Sequence, residues 1–310
     1  AWPAEYRGNA IVADCGSNLI HRKKLFPDGA GLLAKRPDDE LKTEFIASKD
    51  NWFRPVQFAN APDGALYVAD MYRETIEHPW SLPQSIKQYL DLNSGNDRGR
   101  IYRIVPDGFR QPKPPRLGSA TTAEMVKTLE HPNGWHRDTA ARLLYERRDL
   151  SAAPALQELA KSSTSELGRL HALYALNGLD RLETPSLAQA LSDSSAAVRQ
   201  NAVRLCPNVL KAGSSSNPLI PKLRELASDP EPRVRYRLAL AVGVLPVAAN
   251  EKAAVLAAIA GKDSSDPWIR AAIFNSLGDA VNFSFFKSVA MKWDPALTPH
   301  LENDAKAGRA

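Results

Sequence analysis

The chain has 310 residues, 44% hydrophobic and 24% charged, with a formal net charge of +5; this is the profile of a globular protein of about two domains. No run approaches the ~20 consecutive apolar residues of a membrane-spanning helix, and the two cysteines, Cys15 and Cys206, form neither a disulfide framework nor a CxxC pair. The opening AWPAEYRGNA is neither an initiator Met nor a charged-then-apolar secretion signal, so further chain is expected upstream.

Residues 1–110 carry 15 Lys/Arg and 15 Asp/Glu, which places the whole positive excess in the remainder. Acidic residues are interspersed with runs such as RVRYR. A solvated helix face is therefore expected, and a nucleic-acid surface is not.

The first third reads as short strands separated by turn residues: NAIVAD, NLIHRKKL, TEFIAS, RPVQFAN, ALYVAD and RGRIYRIV. The turn APDG between RPVQFAN and ALYVAD is a hairpin signal, because Asp-Gly suits the backbone such turns need. NAIVAD repeats the second-strand portion of the segment from Arg54 to Asp70. That spacing predicts about one complete propeller blade and part of another. A ring needs typically about four to eight blades, so the remaining blades are expected N-terminal to residue 1.

The stretch DNWFRPVQFANAPDGALYVADMYRETIEHPW, followed by GNDRGRIYRI, resembles the last blades of membrane-bound-dehydrogenase-type proteins of Planctomycetes and Verrucomicrobia. The resemblance covers nearly the whole chain in domain order and is strongest over residues 50 to 104. It implies a propeller like that of the pyrroloquinoline-quinone-dependent soluble sugar dehydrogenases, then HEAT repeats, then a cytochrome c domain. It also implies pyrroloquinoline quinone and calcium as cofactors, a sugar or polyol substrate, and a periplasmic or cell-surface location. The CxxCH of the haem domain does not occur here, so haem c belongs to a domain not present in this sequence.

VPDGFRQPKPPRLGSA, residues 105 to 120, is rich in Pro and Gly and predicts a semi-rigid linker. Beyond it the apolar period becomes helical. Five segments resemble one another, with Arg137, Arg169, Arg199, Arg235 and Arg270 near their starts, separated by 32, 30, 36 and 35 residues. Recurrence at such a period signals a solenoid of helix pairs, here similar to HEAT repeats. Asp193, Asp229 and Asp266 precede second helices and are expected to cap them. The recurring Arg is expected to bond a neighbouring repeat. The fold expected is thus the C-terminal blades of a β-propeller (1–105), a linker (106–120), an α-solenoid of HEAT-like repeats (121–292) and a tail (293–310).

In propellers of the soluble sugar dehydrogenase kind, the site lies where inner strands begin and second strands end. By that resemblance, Arg54, Arg73, Tyr72 and Trp52 bind the cofactor. His78 accepts the hydroxyl proton and Asp70 orients it or helps hold calcium. Each residue has a structural alternative. Asp70 can close its turn, Arg54 can bridge blades, His78 before Pro79 can be a turn residue, and Trp52 and Trp80 can be packing. Asp14 and Asn18 occupy the equivalent loop of the earlier blade. His131 and His136 lack a zinc-ligand pattern. Two functions follow: a quinone-dependent sugar or alcohol dehydrogenase with the repeats as a docking scaffold, active only at full length, or a non-catalytic interaction module binding a protein on the concave face of the solenoid.

Overall fold

A computed structural model describes residues 2–210, 217–278, 281–282, 284–286 and 288–289. The expected tail 293–310 lies outside the described residues. The chain divides into two units: residues 2–28, 32–116 and 133–136, and residues 29–31, 117–132 and the described residues from 137 onward.

The first unit is built on seven strands: β1 (Asn9–Asp14), β2 (Leu19–Asp28), β3 (Gly31–Lys35), β4 (Ile46–Ala47), β5 (Pro55–Asn60), β6 (Leu66–Asp70) and β7 (Arg100–Ile104). They form two separate sheets, one ordered β1-β2-β3 with β4 also on β2, the other β5-β6-β7, and no closed ring is present among the described residues. The APDG hairpin forms as expected. Gly64 takes φ +83°, its N–H donates to the Ala61 carbonyl, and Asp63 Oδ1 accepts from the Ala65 N–H at 2.9 Å. Alternation along β6 buries Leu66 and Val68, which meet Ile20 of β2 and Phe53 in a small core. The outer strands are poorly covered. β1 pairs only with β2 and β7 only with β6 among the described residues, and Ile101 of β7 is 73% exposed.

β2 runs beyond NLIHRKKL through Pro27, and β3 follows, a strand the sequence pattern did not single out. Proline is tolerated in a strand where its nitrogen has no partner to donate to. Within PQSIKQYL only a single helical turn forms, α1 (Gln84–Lys87).

The second unit opens with a short 3-10 turn at Leu117–Ser119, whose Leu117 is buried, so the ordered helical part begins inside the segment expected to be linker. Thr121 and Glu124 then form a reciprocal capping box at the start of α2 (Thr122–Thr128). There follow α3 (Gly134–Arg147), α4 (Ala153–Ser162), α5 (Glu166–Gly178), α6 (Thr184–Ala190), α7 (Ala196–Val209), α8 (Leu219–Glu225), α9 (Pro232–Val242), α10 (Ala249–Asp263) and α11 (Pro267–Ser276). Helices α2, α4, α6 and α8 neighbour one another in one layer, and α5, α7, α9 and α11 in a second. No single pair could bury its apolar stripe alone; stacking does so. The core runs through Met125, Leu144 and Leu156 in one cluster to Leu173, Leu238 and Ile259 in the next. Burial pushes the Cys206 thiol up to about 12, so it packs as a small apolar group.

The recurring arginines link the repeats. Arg169 grips both oxygens of Asp193 at 2.7 Å, Arg199 both oxygens of Asp229 at 2.7 and 2.9 Å, and Arg235 both oxygens of Asp263 at 2.5 Å. In all five repeats the remaining nitrogen donates to the carbonyl six residues back, at His131, Ser163, Asp193, Asp229 and Ser264. Burial alone would raise the Asp193 pKa, but the Arg169 hydrogen bonds and the Ser195 N–H reverse this and hold it below the ordinary value. Asp266 caps its helix as expected, accepting from Trp268 N and Ile269 N. Asp193 and Asp229 do not: each sits before the cap residue, accepts that residue's N–H, and turns its carboxylate to the arginine.

The first interface differs. Ser163 stands where the later repeats carry Asp193 and Asp229, six residues before the arginine, and it bonds Glu130 instead. Arg137 meets His171 Nε2 at 3.3 Å rather than a carboxylate.

Candidate functional site

The loops that follow β1 and β6 and precede β5 gather most of the residues singled out in the sequence. Pro55 and Asp70 are register partners at the ends of β5 and β6. Asp70 is 2% exposed. Its Oδ1 accepts from Arg54 N at 2.7 Å and Tyr72 N at 2.9 Å, which closes the turn. Its Oδ2 has no hydrogen-bond partner. The Arg54 guanidinium donates to the carbonyls of Arg73 (3.0 Å), Cys15 (2.9 Å) and Glu74 (2.9 Å). It therefore ties the loop after β1 to the loop after β6. Asn18, at φ +59°, braces the same junction by donating to the Phe53 and Asn51 carbonyls, while Asp14 accepts from Ser17 N within its own turn.

Tyr72 is held at φ +50°, a left-handed conformation that a bulky side chain adopts only under constraint. The constraint comes from several sides. Its ring meets Trp52 at a centroid distance of 5.5 Å, its hydroxyl donates to Asp50 Oδ2 at 2.9 Å, and the Arg100 guanidinium lies 3.5 Å over its face. Gly95, at φ +85°, packs so close that a Cβ would collide with the Tyr72 carbonyl. Asp50 is held below the usual carboxylate range first by the Trp52 N–H and then by the Tyr72 hydroxyl. Arg100 escaped the sequence reading because it looks like one more exposed residue of an alternating strand.

His78 stands apart. Its Nδ1 accepts from Trp80 N at 3.2 Å, capping the short turn Pro79–Ser81. The Asp70 carboxylate does not reach it: one oxygen serves the turn and the other has no partner. The expected pairing of His78 with an orienting Asp70 therefore does not form. Arg73 donates to the Asn93 carbonyl at 3.2 Å. An anionic quinone needs guanidinium donors beside an open ring face. Here the Arg54 guanidinium is committed to backbone carbonyls and Arg100 covers one face of the Tyr72 ring, so these two do not present such a donor and open face. No group of three or more His, Cys, Asp or Glu comes together to hold a metal among the described residues.

The second-layer helices offer a different surface. On α7, Asn201, Arg204 and Asn208 recur at three- and four-residue spacing, on the side away from the buried Ala202, Val203 and Cys206. Neighbouring helices continue the stripe: the Tyr174 hydroxyl donates to Asn201 Oδ1 at 2.8 Å, and Asn208 Nδ2 donates to Asn177 Oδ1 at 2.9 Å. The sequence showed the helices but not this stripe, because it joins residues about 30 positions apart on different repeats.

Two units of different class, a pair of antiparallel sheets and an α-solenoid, thus share one chain. Residues 1–108 match the model of a domain of unknown function, DUF7133, and residues 184–279 match that of HEAT repeats. No curated protein matches. Among solved structures, a designed armadillo repeat protein in complex with the peptide (KR)4 is 15% identical, with 61% of this chain and 98% of that chain covered at a TM-score of 0.38. No helix among the described residues is long and apolar enough to cross a membrane.

Proposed function

We propose that this chain is a protein-interaction scaffold, with the outward stripe of the second-layer helices as its docking surface. One observation carries the reading. Bidentate arginine–aspartate clamps hold α5, α7 and α9 in fixed register, while the stripe they display keeps amide groups and a tyrosine ring at the surface. A surface ordered before binding loses less side-chain entropy on association, and solenoids use such surfaces to hold partners. The loop cluster of the first unit supports the same reading from the other side: its arginine and carboxylate hold loops together and do not converge on an open cleft.

The test is selection of linear peptides from a random display library on the full chain, with N177A/N208A as the counter-screen. Enriched peptides should lose binding to that variant and keep binding to W52A. Failure to enrich any peptide, or enrichment indifferent to N177A/N208A, would overturn the proposal.

A further inference from the structure

The charge pattern of the stripe narrows the partner. Helices α7, α9 and α11 contain no Asp or Glu, yet carry six arginines. Arg199 and Arg235 are neutralised by Asp229 and Asp263, and Arg233 by Glu231. Arg270 donates to the Ser264 and Ser265 carbonyls. Arg204 and Arg237 remain: neither makes a hydrogen bond or ion pair with any described residue. They sit on adjacent helices, and the only acid of the next helix, Glu166 of α5, is engaged by the Ser195 hydroxyl.

Asn201 is committed to the Ala197 carbonyl and the Tyr174 hydroxyl, but the Asn177–Asn208 pair is half satisfied. Asn177 Oδ1 accepts from Asn208 Nδ2, which leaves the Asn177 amine and the Asn208 oxygen as an unused donor and acceptor. A donor and an acceptor side by side are the complement of the N–H and C=O of one residue in an extended chain, which face the same edge. Neighbouring packed helices lie about 8–10 Å apart, roughly three residues of extended chain. A strand laid across α5, α7 and α9 therefore brings a new side chain to each helix. We propose that the stripe formed by Tyr174, Asn177, Asn201, Arg204, Asn208 and Arg237 binds an extended acidic peptide segment. The Asn177 and Asn208 amides hold its main chain, and the two arginines take carboxylates about two to three residues apart. This rests on the scaffold reading and names its partner class. A nucleic-acid strand fits less well: two uncompensated cations are far fewer than the roughly 6–10 phosphate contacts of a typical nucleic-acid site.

The experiment uses the full chain and fluorescence anisotropy with three labelled probes of similar length: a peptide of alternating Ser and Glu, one of alternating Ser and Lys, and oligouridylate. The Ser-Glu probe should bind and the other two should not. R204E/R237E should weaken Ser-Glu binding by about tenfold or more, and N177A/N208A should weaken it by less. Because Arg204 and Arg237 make no hydrogen bond or ion pair with any described residue, the reversal variant should melt close to the parent. Comparable binding of Ser-Lys or oligouridylate, or Ser-Glu binding indifferent to charge reversal, would overturn the inference. Absence of Ser-Glu binding while library peptides of other composition still depend on Asn177 and Asn208 overturns the acidic partner and leaves the scaffold standing. Absence of any peptide binding removes both.

Discussion

Replacing Arg235 by alanine removes three hydrogen bonds at once, two of 2.5 Å to the Asp263 carboxylate and one to the Asp229 carbonyl. Arg235 is 3% exposed and Asp263 9%, so water cannot take over these contacts without opening the structure. Breaking a buried pair from one side costs about 3–5 kcal/mol, because the partner stays buried and charged. At about 2–4 °C per kcal/mol for a unit of this size, the helical transition should fall by roughly 6–20 °C. Far-UV circular dichroism on heating reads this directly. R142A is the control, since Arg142 makes an exposed pair with Glu146 one helical turn away, and its effect should stay within about 2 °C. The double variant R235A/D263A should be less destabilised than the sum of its single variants, because the stranded charge is gone. R235K should recover little, as an ammonium cannot span both carboxylate oxygens. If R235A melts like R142A, the clamps are ornamental and the rigidity argument for the stripe fails.

Asp193 sits below its ordinary value of 3.8 when folded, so its stabilisation is complete above that value and is lost as pH falls through the folded pKa; urea midpoints between about pH 5 and pH 3 should fall more steeply for the parent than for D193N. Pyrroloquinoline quinone with calcium should leave the melting curve unchanged, and R54A should lower the melting of the first unit without altering any quinone titration. A quinone-dependent shift that R54A abolishes would restore the dehydrogenase reading. Residues 1–116 expressed alone should self-associate in light scattering after size exclusion, because β1 and β7 leave unpaired edges and Ile101 is exposed; a monomer with a sharp melt would contradict this.

The helical repeat was legible because its signal is local: an arginine at fixed phase, an apolar stripe, and a proline or capping residue at each start. Asp266 could be read as a cap from its position alone. Asp193 and Asp229 could not, because their choice between a cap and an arginine depends on a neighbour 24 to 30 residues away. In the first unit, Arg54 and Asp70 were rightly placed at paired strand ends. Strand ends alone did not say whether their polar groups face a ligand or the chain's own loops. That was decided by the carbonyls of Cys15, Arg73 and Glu74, which carry no sequence signature.

The first repeat interface has a further consequence. Where Arg169, Arg199 and Arg235 lock onto the next repeat with two parallel hydrogen bonds to a carboxylate, Arg137 reaches across only to the His171 imidazole. Burial, then the Arg137 charge, hold His171 below its ordinary 6.5, so its contribution is present above that pH and is lost as the pH falls below it. The first interface is therefore weaker than the three clamped ones in the middle of the solenoid. Amides of α2 and α3 should exchange with solvent ahead of those of α7 and α9, and mild acid should widen the gap. A chain so built loosens at α2 and α3 while its middle repeats keep their shape.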